Sequence, residues 1–167
     1  PTSKARSPPS NASRAAAPRV VSTKTMSFRG RVVAITGAAS GIGRALAIDL
    51  AQRGADLALC DVSEDGLAET AAAVERTGRQ VTTDRVDVSD RAGVYAWAEK
   101  VVADHGRVDG IVNNAGVSLT DTIEHLDYDD FEWIVGINFW GVVYGTKAFL
   151  PHLLERGDGW IVNVSSV

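Results

Sequence analysis

A glycine-rich stretch at residues 36–43 separates a short apolar run from a helical pattern. The apolar run, residues 32–35, is typical of a strand that is buried on both faces of a parallel sheet. Behind the stretch, apolar residues recur at three- and four-residue spacing, which predicts an amphipathic helix. Gly37 permits a tight turn, Gly41 leaves no Cβ between backbone and ligand, and Gly43 allows close helix packing. The free N–H groups of the helix start therefore predict an anion site, most simply for a pyrophosphate.

The chain from residue 28 onward alternates between short apolar runs and helical patterns. Such alternation predicts an α/β fold with a doubly wound, Rossmann-like parallel sheet. The sequence stops soon after the fifth predicted strand, so we expect a sheet that is truncated there. The predicted strands are 32–35, 57–60, 80–86, 108–112 and 160–164, and the predicted helices follow the glycines and span 63–77, 90–105 and 129–156.

Polar or small residues close every predicted strand. Asp61 ends the second strand, at the distance where an acidic residue follows such glycines in dinucleotide-binding folds. Ligands of doubly wound sheets bind beyond the carboxyl ends of the strands, so we expect these residues to surround one site. They are Thr36 and Gly37, Asp61, Asp87, Asn113 and Asn114, and Ser165 and Ser166.

The composition fits one globular domain of 167 residues with a formal net charge of −4. Residues 1–27 contain five basic and no acidic residues, which predicts a disordered basic extension or linker. A transit peptide and a cloning extension are the alternatives for that segment. The acidic body, residues 28–167, argues against a nucleic-acid partner, and no apolar stretch reaches the ~18 residues of a membrane helix. We therefore predict a cytoplasmic protein in which the one cysteine, Cys60, is a buried core residue.

Together these motifs resemble the classical short-chain dehydrogenase/reductases. The glycine spacing is TGxxxGxG, and it is followed by Asp87-Val88, by Asn113-Asn114-Ala115-Gly116, and by Asn138 and Ser166. The resemblance covers residues 28–167 and implies an oxidoreductase that transfers a hydride between NAD(P) and a small alcohol or ketone. A non-catalytic nucleotide-binding module is the main alternative, and an isomerase or lyase on the same scaffold is a third.

The resemblance also assigns the cofactor contacts. It places the adenine against Asp87 and the backbone of Val88, and it makes Asn113 a tie between neighbouring strands. No histidine has metal-ligand spacing, so we predict no metal site. The predicted cofactor-binding residues are Gly37, Ser40, Gly41, Ile42, Gly43, Asp61, Asp87, Val88, Asn114, Ala115 and Gly116.

The end of the second predicted strand indicates which cofactor is preferred. The carboxylate of Asp61 can accept hydrogen bonds from the adenosine ribose, and it would repel the 2′-phosphate of NADP. Ser40 stands where NADP-preferring relatives often carry a basic residue. Arg44 is the one nearby cation, which leaves NADP as the less favoured alternative to NAD.

The resemblance makes Ser166 the catalytic serine that holds the substrate oxygen, and it gives Asn138 a water of the proton relay. The family also needs a tyrosine acid/base with a lysine four residues later. None of the three tyrosines has a lysine at that spacing. In relatives the pair lies about a dozen residues beyond the position of Ser166, so we expect residues 1–167 alone to be inactive.

The helix predicted over 129–156 carries apolar residues on several sides, among them Phe139, Trp140, Val143 and Phe149. One contact with the sheet would not use them all. Relatives commonly pair through this helix, so we predict that the complete protein is a homo-oligomer.

Overall fold

The computed structural model describes residues 27–165. The predicted extension therefore lies outside the described residues except for Ser27, and Ser166 and Val167 also lie outside them. None of the helices in the described part is long and apolar enough to cross a membrane. In chain order the elements are β1 (Val32–Thr36), α1 (Gly41–Gln52), β2 (Asp56–Asp61), α2 (Glu64–Glu75), β3 (Val81–Arg85), α3 (Arg91–His105), β4 (Gly110–Asn113), α4 (Tyr128–Val135), a π-helical segment (Gly136–Gly141), α5 (Val142–Arg156) and β5 (Trp160–Asn163).

The five strands form one sheet in the order β3-β2-β1-β4-β5, and all four neighbouring pairs are parallel. β1 is central and buried along its whole length. Its side chains alternate between faces: Val32 and Ala34 pack with α3 and α5, whereas Val33 and Ile35 pack with α1 and α2. Helices thus cover both faces, which confirms the doubly wound prediction and explains the continuous apolar run of the central strand.

The single long helix predicted over 129–156 is wrong in one respect, because a π-helical segment divides it. α4 begins after Asp127, which caps it together with Asp130. The π-helical segment contains Asn138, whose side-chain amide bonds the backbone of Val117. π-helical turns inside α-helices are frequent at functional sites, so this contact marks a part of the fold to inspect for one.

Phe149, one of the apolar residues named for several sides of the predicted helix, faces the core. It is fully buried and packs edge-on against Trp97, with ring centroids 5.1 Å apart. Helical periodicity alone could not tell which of several apolar sides meets α3. Phe139 and Trp140 remain exposed, at 57% and 45%. Cys60 is buried in the core, as predicted.

A buried ion cluster joins the amino ends of β1 and β4. Asp109, 0% exposed, accepts hydrogen bonds from the N–H of Val32 at 2.9 Å and from Nη1 of Arg31 at 3.0 Å. Arg107 donates to both carboxylate oxygens, and Arg156 lies 3.6 Å away. Burial raises the pKa of Asp109, but the hydrogen bonds from Arg107, Val32 and Arg31 outweigh it and hold the pKa below the ordinary 3.8. The ionised carboxylate is therefore the stabilising form.

We predict that Asp109→Asn lowers the free energy of unfolding by about 2–3 kcal/mol at pH 7, the scale of hydrogen bonds to a charged group. Because the folded pKa is depressed, this contribution is complete above the unfolded pKa near 4 and fades as the pH falls through the folded value. Urea unfolding at pH 7, 5 and 3.5 measures the difference in unfolding free energy between the wild type and Asp109→Asn. This difference should be largest at pH 7 and 5.

The matched control is Asp158→Asn, which removes an exposed partner of the same Arg31. An exposed ion pair is worth at most about 1 kcal/mol, so this variant should unfold almost like the wild type. Equal losses in the two variants, or a gap for Asp109→Asn that does not change with pH, would contradict this account of the cluster.

Candidate functional site

A cleft of about 370 Å³ opens beyond the carboxyl ends of β1, β2, β3 and β4. We call it the carboxyl-edge cleft. It brings together ten of the eleven predicted cofactor-binding residues, and Gly43 is the exception. The lining residues are Gly37, Ser40, Gly41, Ile42, Asp61, Val62, Val86, Asp87, Val88, Asn114, Ala115, Gly116, Val117 and Ile137.

The glycine turn (residues 37–43) supplies one wall of this cleft. Gly37 has φ +67°, and a Cβ there would lie 2.7 Å from the Cα of Ala115, so only glycine lets the two segments meet. Gly43 lies beneath the turn, where a Cβ would overlap the carbonyl oxygen of Gly37. Gly41 differs, because nothing lies within 4 Å of its missing Cβ. The turn is closed on its protein side and open toward the cleft.

The start of α1 faces the cleft without a side-chain cap. Ser40 has extended backbone angles, and its hydroxyl makes no capping hydrogen bond. The first turn of α1 has no acidic residue, and Ile42 is 66% exposed. Uncapped N–H groups at the positive end of a helix dipole are suited to an anion. These features fit the pyrophosphate of a dinucleotide.

The carboxylate of Asp61 is held at the rim of the cleft by two backbone groups. Its Oδ2 accepts a hydrogen bond from the N–H of Ala39 at 3.0 Å, and its Oδ1 accepts one from the N–H of Ser63 at 3.1 Å. Each carboxylate oxygen has a further acceptor site. Asp61 can therefore accept hydrogen bonds from a sugar diol while the glycine turn keeps it in place.

Asp87 and Val88 lie where the chain leaves β3. The Asp87 carboxylate accepts from the N–H and hydroxyl of Ser89, at 2.9 and 2.7 Å. Val88 is buried, whereas Val62, which also lines the cleft, is 55% exposed. This part of the cleft offers apolar side chains beside a fixed acceptor, as a flat heteroaromatic ring requires.

Thr36 fastens the glycine turn to the loop after β4. The sequence predicts it among the polar residues that surround the site but not among the cofactor-binding residues. Its buried hydroxyl accepts hydrogen bonds from the N–H groups of Asn114 and Ala115, at 2.9 and 3.0 Å. The Asn114 amide returns to the carbonyls of Thr36 and Gly37, at 3.0 and 3.1 Å. The place of Thr36 at the end of an otherwise apolar strand marks it in the sequence, but its partners, 78 and 79 residues away, could not be predicted.

Asn113 joins β4 to its neighbours, as predicted. Its side-chain nitrogen donates to Oδ1 of Asn163 in β5 at 2.8 Å and to the hydroxyl of Thr146 in α5 at 3.2 Å. A Cβ at Gly145 would overlap Oδ1 of Asn113, so the close approach of α5 requires glycine there. Asn113 therefore supports the loop from below and does not line the cleft.

Asn138 also acts on this loop. Its Oδ1 accepts from the N–H of Val117 at 2.9 Å, and its Nδ2 donates to the Val117 carbonyl at 2.8 Å. Both ends of the amide are therefore used by one backbone unit, at the point where the loop leaves Gly116. Its predicted part in a proton relay stays a prediction, and Ser166 lies outside the described residues. Within residues 27–165, no cluster of His, Cys, Asp and Glu could hold a metal ion.

We predict that Thr36→Val destabilises the protein by about 1–3 kcal/mol, because it leaves two partly buried N–H groups without an acceptor. Thr83→Val on β3 is the matched control, since Thr83 is exposed and the same atoms are exchanged. Thermal or urea unfolding measures both. A Thr36→Val protein as stable as the Thr83→Val protein would contradict the role given to this hydroxyl.

Comparison with known proteins gives a consistent result. The family model for short chain dehydrogenases matches residues 31–167. The "Putative oxidoreductase SadH" of Mycobacterium tuberculosis is 51% identical over 141 residues, which are 84% of this chain and 51% of that protein. The levodione reductase of Leifsonia aquatica is 42% identical over 149 residues, 87% of this chain and 56% of that protein.

Solved structures agree with the sequences. The crystal structure of carveol dehydrogenase from Mycobacterium avium in complex with NAD has a TM-score of 0.78 and 36% identity, over 83% of this chain and 55% of that one. The chain spans about half the length of the curated relatives it matches. The family match, the relatives and the geometry of the cleft together show that this chain belongs to the short-chain dehydrogenase/reductase family.

Proposed function

We propose that the full-length protein is an NAD-dependent oxidoreductase that transfers a hydride between the nicotinamide and a small alcohol or ketone. The observation that carries the proposal is the uncapped start of α1 at Gly41, which is open to the cleft. Asp61, which also lines the cleft, is fixed by the N–H of Ala39. Membership of the family supports it, and so do the names of two relatives, a levodione reductase and a carveol dehydrogenase solved with NAD.

In this proposal the carboxyl-edge cleft contacts four parts of the cofactor. The N–H groups around Ser40, Gly41 and Ile42 bind the pyrophosphate, and Asp61 accepts from the adenosine ribose. Asp87 and Val88 border the adenine. The loop from Asn114 to Gly116, fastened by Thr36 and Asn138, supports the nicotinamide end. When bound, the cofactor supplies or takes up the hydride.

The protein must then manage the substrate oxygen and its proton. We propose that the Ser166 hydroxyl holds that oxygen as its negative charge changes. Asn138 keeps the loop after Gly116 in position, and we retain the proton-relay role as part of the proposal. Residues 1–167 contain no tyrosine with a lysine four residues later. We therefore propose that this acid/base pair belongs to the full-length protein outside these residues.

A non-catalytic nucleotide-binding module remains the second candidate function. The absence of a Tyr-x-x-x-Lys pair from residues 1–167 is the observation that favours it. The two candidates differ in turnover, because both bind a nucleotide but only the enzyme releases a reduced or oxidised product.

A homo-oligomer is part of the proposal for the full-length protein. Large apolar side chains on α4 and the π-helical segment are exposed, and two of them pack edge to face: Phe139 and Trp140, with ring centroids 5.3 Å apart. Contiguous exposed apolar surface of this kind marks interaction sites. Light scattering would test the assembly, and cell fractionation would test the proposed cytoplasmic location. The exposed residues are Phe131, Trp133, Val135, Phe139 and Trp140, between 40% and 57% exposed.

We predict that the full-length protein interconverts NAD and NADH with some alcohol/carbonyl pair, whereas residues 1–167 alone bind NAD weakly at most and turn nothing over. General acid–base catalysis is worth about 10² to 10⁴ in rate, and the shorter chain lacks its donor. Absorbance of NADH, with a panel of secondary alcohols and ketones, measures the difference. Steady turnover by residues 1–167 that Ser166→Ala abolishes would show that the acid/base pair is placed wrongly.

We predict that Asp61→Ala lowers the preference of the full-length protein for NAD over NADP by at least about tenfold. The substitution removes a charge-assisted hydrogen bond worth about 1.5–3 kcal/mol and the repulsion of a 2′-phosphate. It also frees the N–H of Ala39, which weakens both cofactors, so the ratio of the two dissociation constants is the informative quantity.

Asp65→Ala is the matched control, since Asp65 is an exposed carboxylate in the first turn of α2 and does not line the cleft. Isothermal titration with each nucleotide gives both constants. If the ratio changes equally in the two variants, or in neither, Asp61 does not contact the ribose.

A further inference from the structure

Arg44, the residue after Gly43, does not point freely into solvent. Its Nε donates to the hydroxyl of Thr70 at 3.1 Å, and its Nη2 pairs with Glu69 at 2.9 Å. The same Nη2 donates to the carbonyl of Ala39 and lies 3.3 Å from that of Gly66. The guanidinium therefore links the glycine turn to the first half of α2.

The hydroxyl of Thr70 completes this link from inside the protein. Thr70 is 0% exposed, and its oxygen lies 2.9 Å from the carbonyl of Ala38 and 3.0 Å from that of Gly66. Asp61 meanwhile accepts from the N–H of Ala39. Both peptide groups that flank Ala39 are thus held by side chains from α1, α2 and the end of β2.

α2 approaches this part of the turn as closely as the backbone allows. A Cβ at Gly66 would lie 2.7 Å from the Cβ of Ala39 and 2.8 Å from its carbonyl oxygen. Alanine is the better helix former by about 1 kcal/mol, so a glycine here has a packing reason. The spacing leaves the Ala39 carbonyl facing Arg44 and Gly66, away from the cleft.

The orientation of one carbonyl fixes the N–H of the next residue. In a planar trans peptide the C=O and the following N–H point in opposite directions. Because the Ala39 carbonyl faces Arg44, the N–H of Ser40 faces the other side, where Ser40 lines the carboxyl-edge cleft. Among the described residues, no protein group accepts a hydrogen bond from this N–H.

We propose that Arg44 is a positioning residue that presents the N–H of Ser40 to the pyrophosphate of the cofactor. Its Nε and Nη2 are engaged by Ala39, Glu69 and Thr70, so we assign Arg44 to the glycine turn and not to a 2′-phosphate. The inference rests on the proposed function for the identity of the ligand. The sequence alone left NADP as an alternative because Arg44 is a nearby cation. The proposal gives Arg44 a different role, in which it does not contact the 2′-phosphate.

The effect of Arg44→Met on the two cofactors distinguishes a positioning role of Arg44 from direct recognition of the 2′-phosphate. We expect Arg44→Met to raise the dissociation constants of NAD and NADP by the same factor, about tenfold, which corresponds to one hydrogen bond to the pyrophosphate. Isothermal titration of the full-length protein measures both constants. Selective loss of NADP affinity, or unchanged affinity for NAD, would overturn the proposal.

Two further variants keep the test decisive. Arg44→Lys preserves the charge but not the planar fork that reaches several acceptors, so it should restore little of the affinity. Recovery of NADP affinity alone in Arg44→Lys would indicate a charge contact with phosphate. Glu69→Gln should leave the ratio of the two constants unchanged, whereas a released Arg44 that binds the 2′-phosphate would raise the affinity for NADP.

Arg53→Met is the matched control, because Arg53 ends the same helix, pairs with Asp49 and lies outside the cleft. It should change neither constant. Equal effects of Arg53→Met and Arg44→Met would overturn the proposal, because the loss would then not be specific to the turn.

Hydrogen exchange in the free protein tests the linkage without any nucleotide. Arg44→Met should speed exchange of the Ala39 N–H at least several-fold, while Arg53→Met should not, and equal protection in both would overturn the proposal. Failure of the wild-type full-length protein to bind either nucleotide would contradict the proposed function instead, and the exchange measurement would still decide whether Arg44 orders the turn.

Discussion

The contact between the glycine turn and the loop after β4 is the constraint on which the site depends. Gly37 and Ala115 meet so closely that no side chain fits between them. The buried hydroxyl of Thr36 accepts hydrogen bonds from the N–H groups of Asn114 and Ala115. These hydrogen bonds tie the end of β1 to the start of the loop after β4. The start of α1, Asp61 and the β4 loop consequently share one cleft.

The two edges of the sheet have different tasks. At the amino edge, the buried carboxylate of Asp109 accepts hydrogen bonds from Arg31, Arg107 and the N–H of Val32. These bonds fix β1 beside β4. At the carboxyl edge, backbone N–H groups and carboxylate oxygens are left facing an open cleft. Charged and polar groups are thus paired within the protein at the amino edge and left open to a ligand at the carboxyl edge.

The order of strands and helices could be predicted from the sequence because each element carries its own apolar period and ends at glycine or a polar residue. The π-helical segment could not, since one extra residue in a turn hardly alters a helical pattern and its support, the contact of Asn138 with Val117, spans 21 residues. Thr36 and Arg44 also have partners far along the sequence: Thr36 accepts from the N–H groups of Asn114 and Ala115, and Arg44 donates to Thr70. Helical periodicity also could not show which apolar side of the helix is buried; Phe149 is buried because α3 covers it through Trp97.

We propose that the carboxyl-edge cleft binds NAD with the pyrophosphate at α1 and the adenosine ribose at Asp61. A crystal structure of the full-length protein with NAD tests it most directly. Our account predicts phosphate oxygens within hydrogen-bond distance of the N–H groups of Ser40 to Ile42, and a ribose hydroxyl on the Asp61 carboxylate. A nucleotide bound elsewhere, or an adenosine ribose turned away from Asp61, would contradict it.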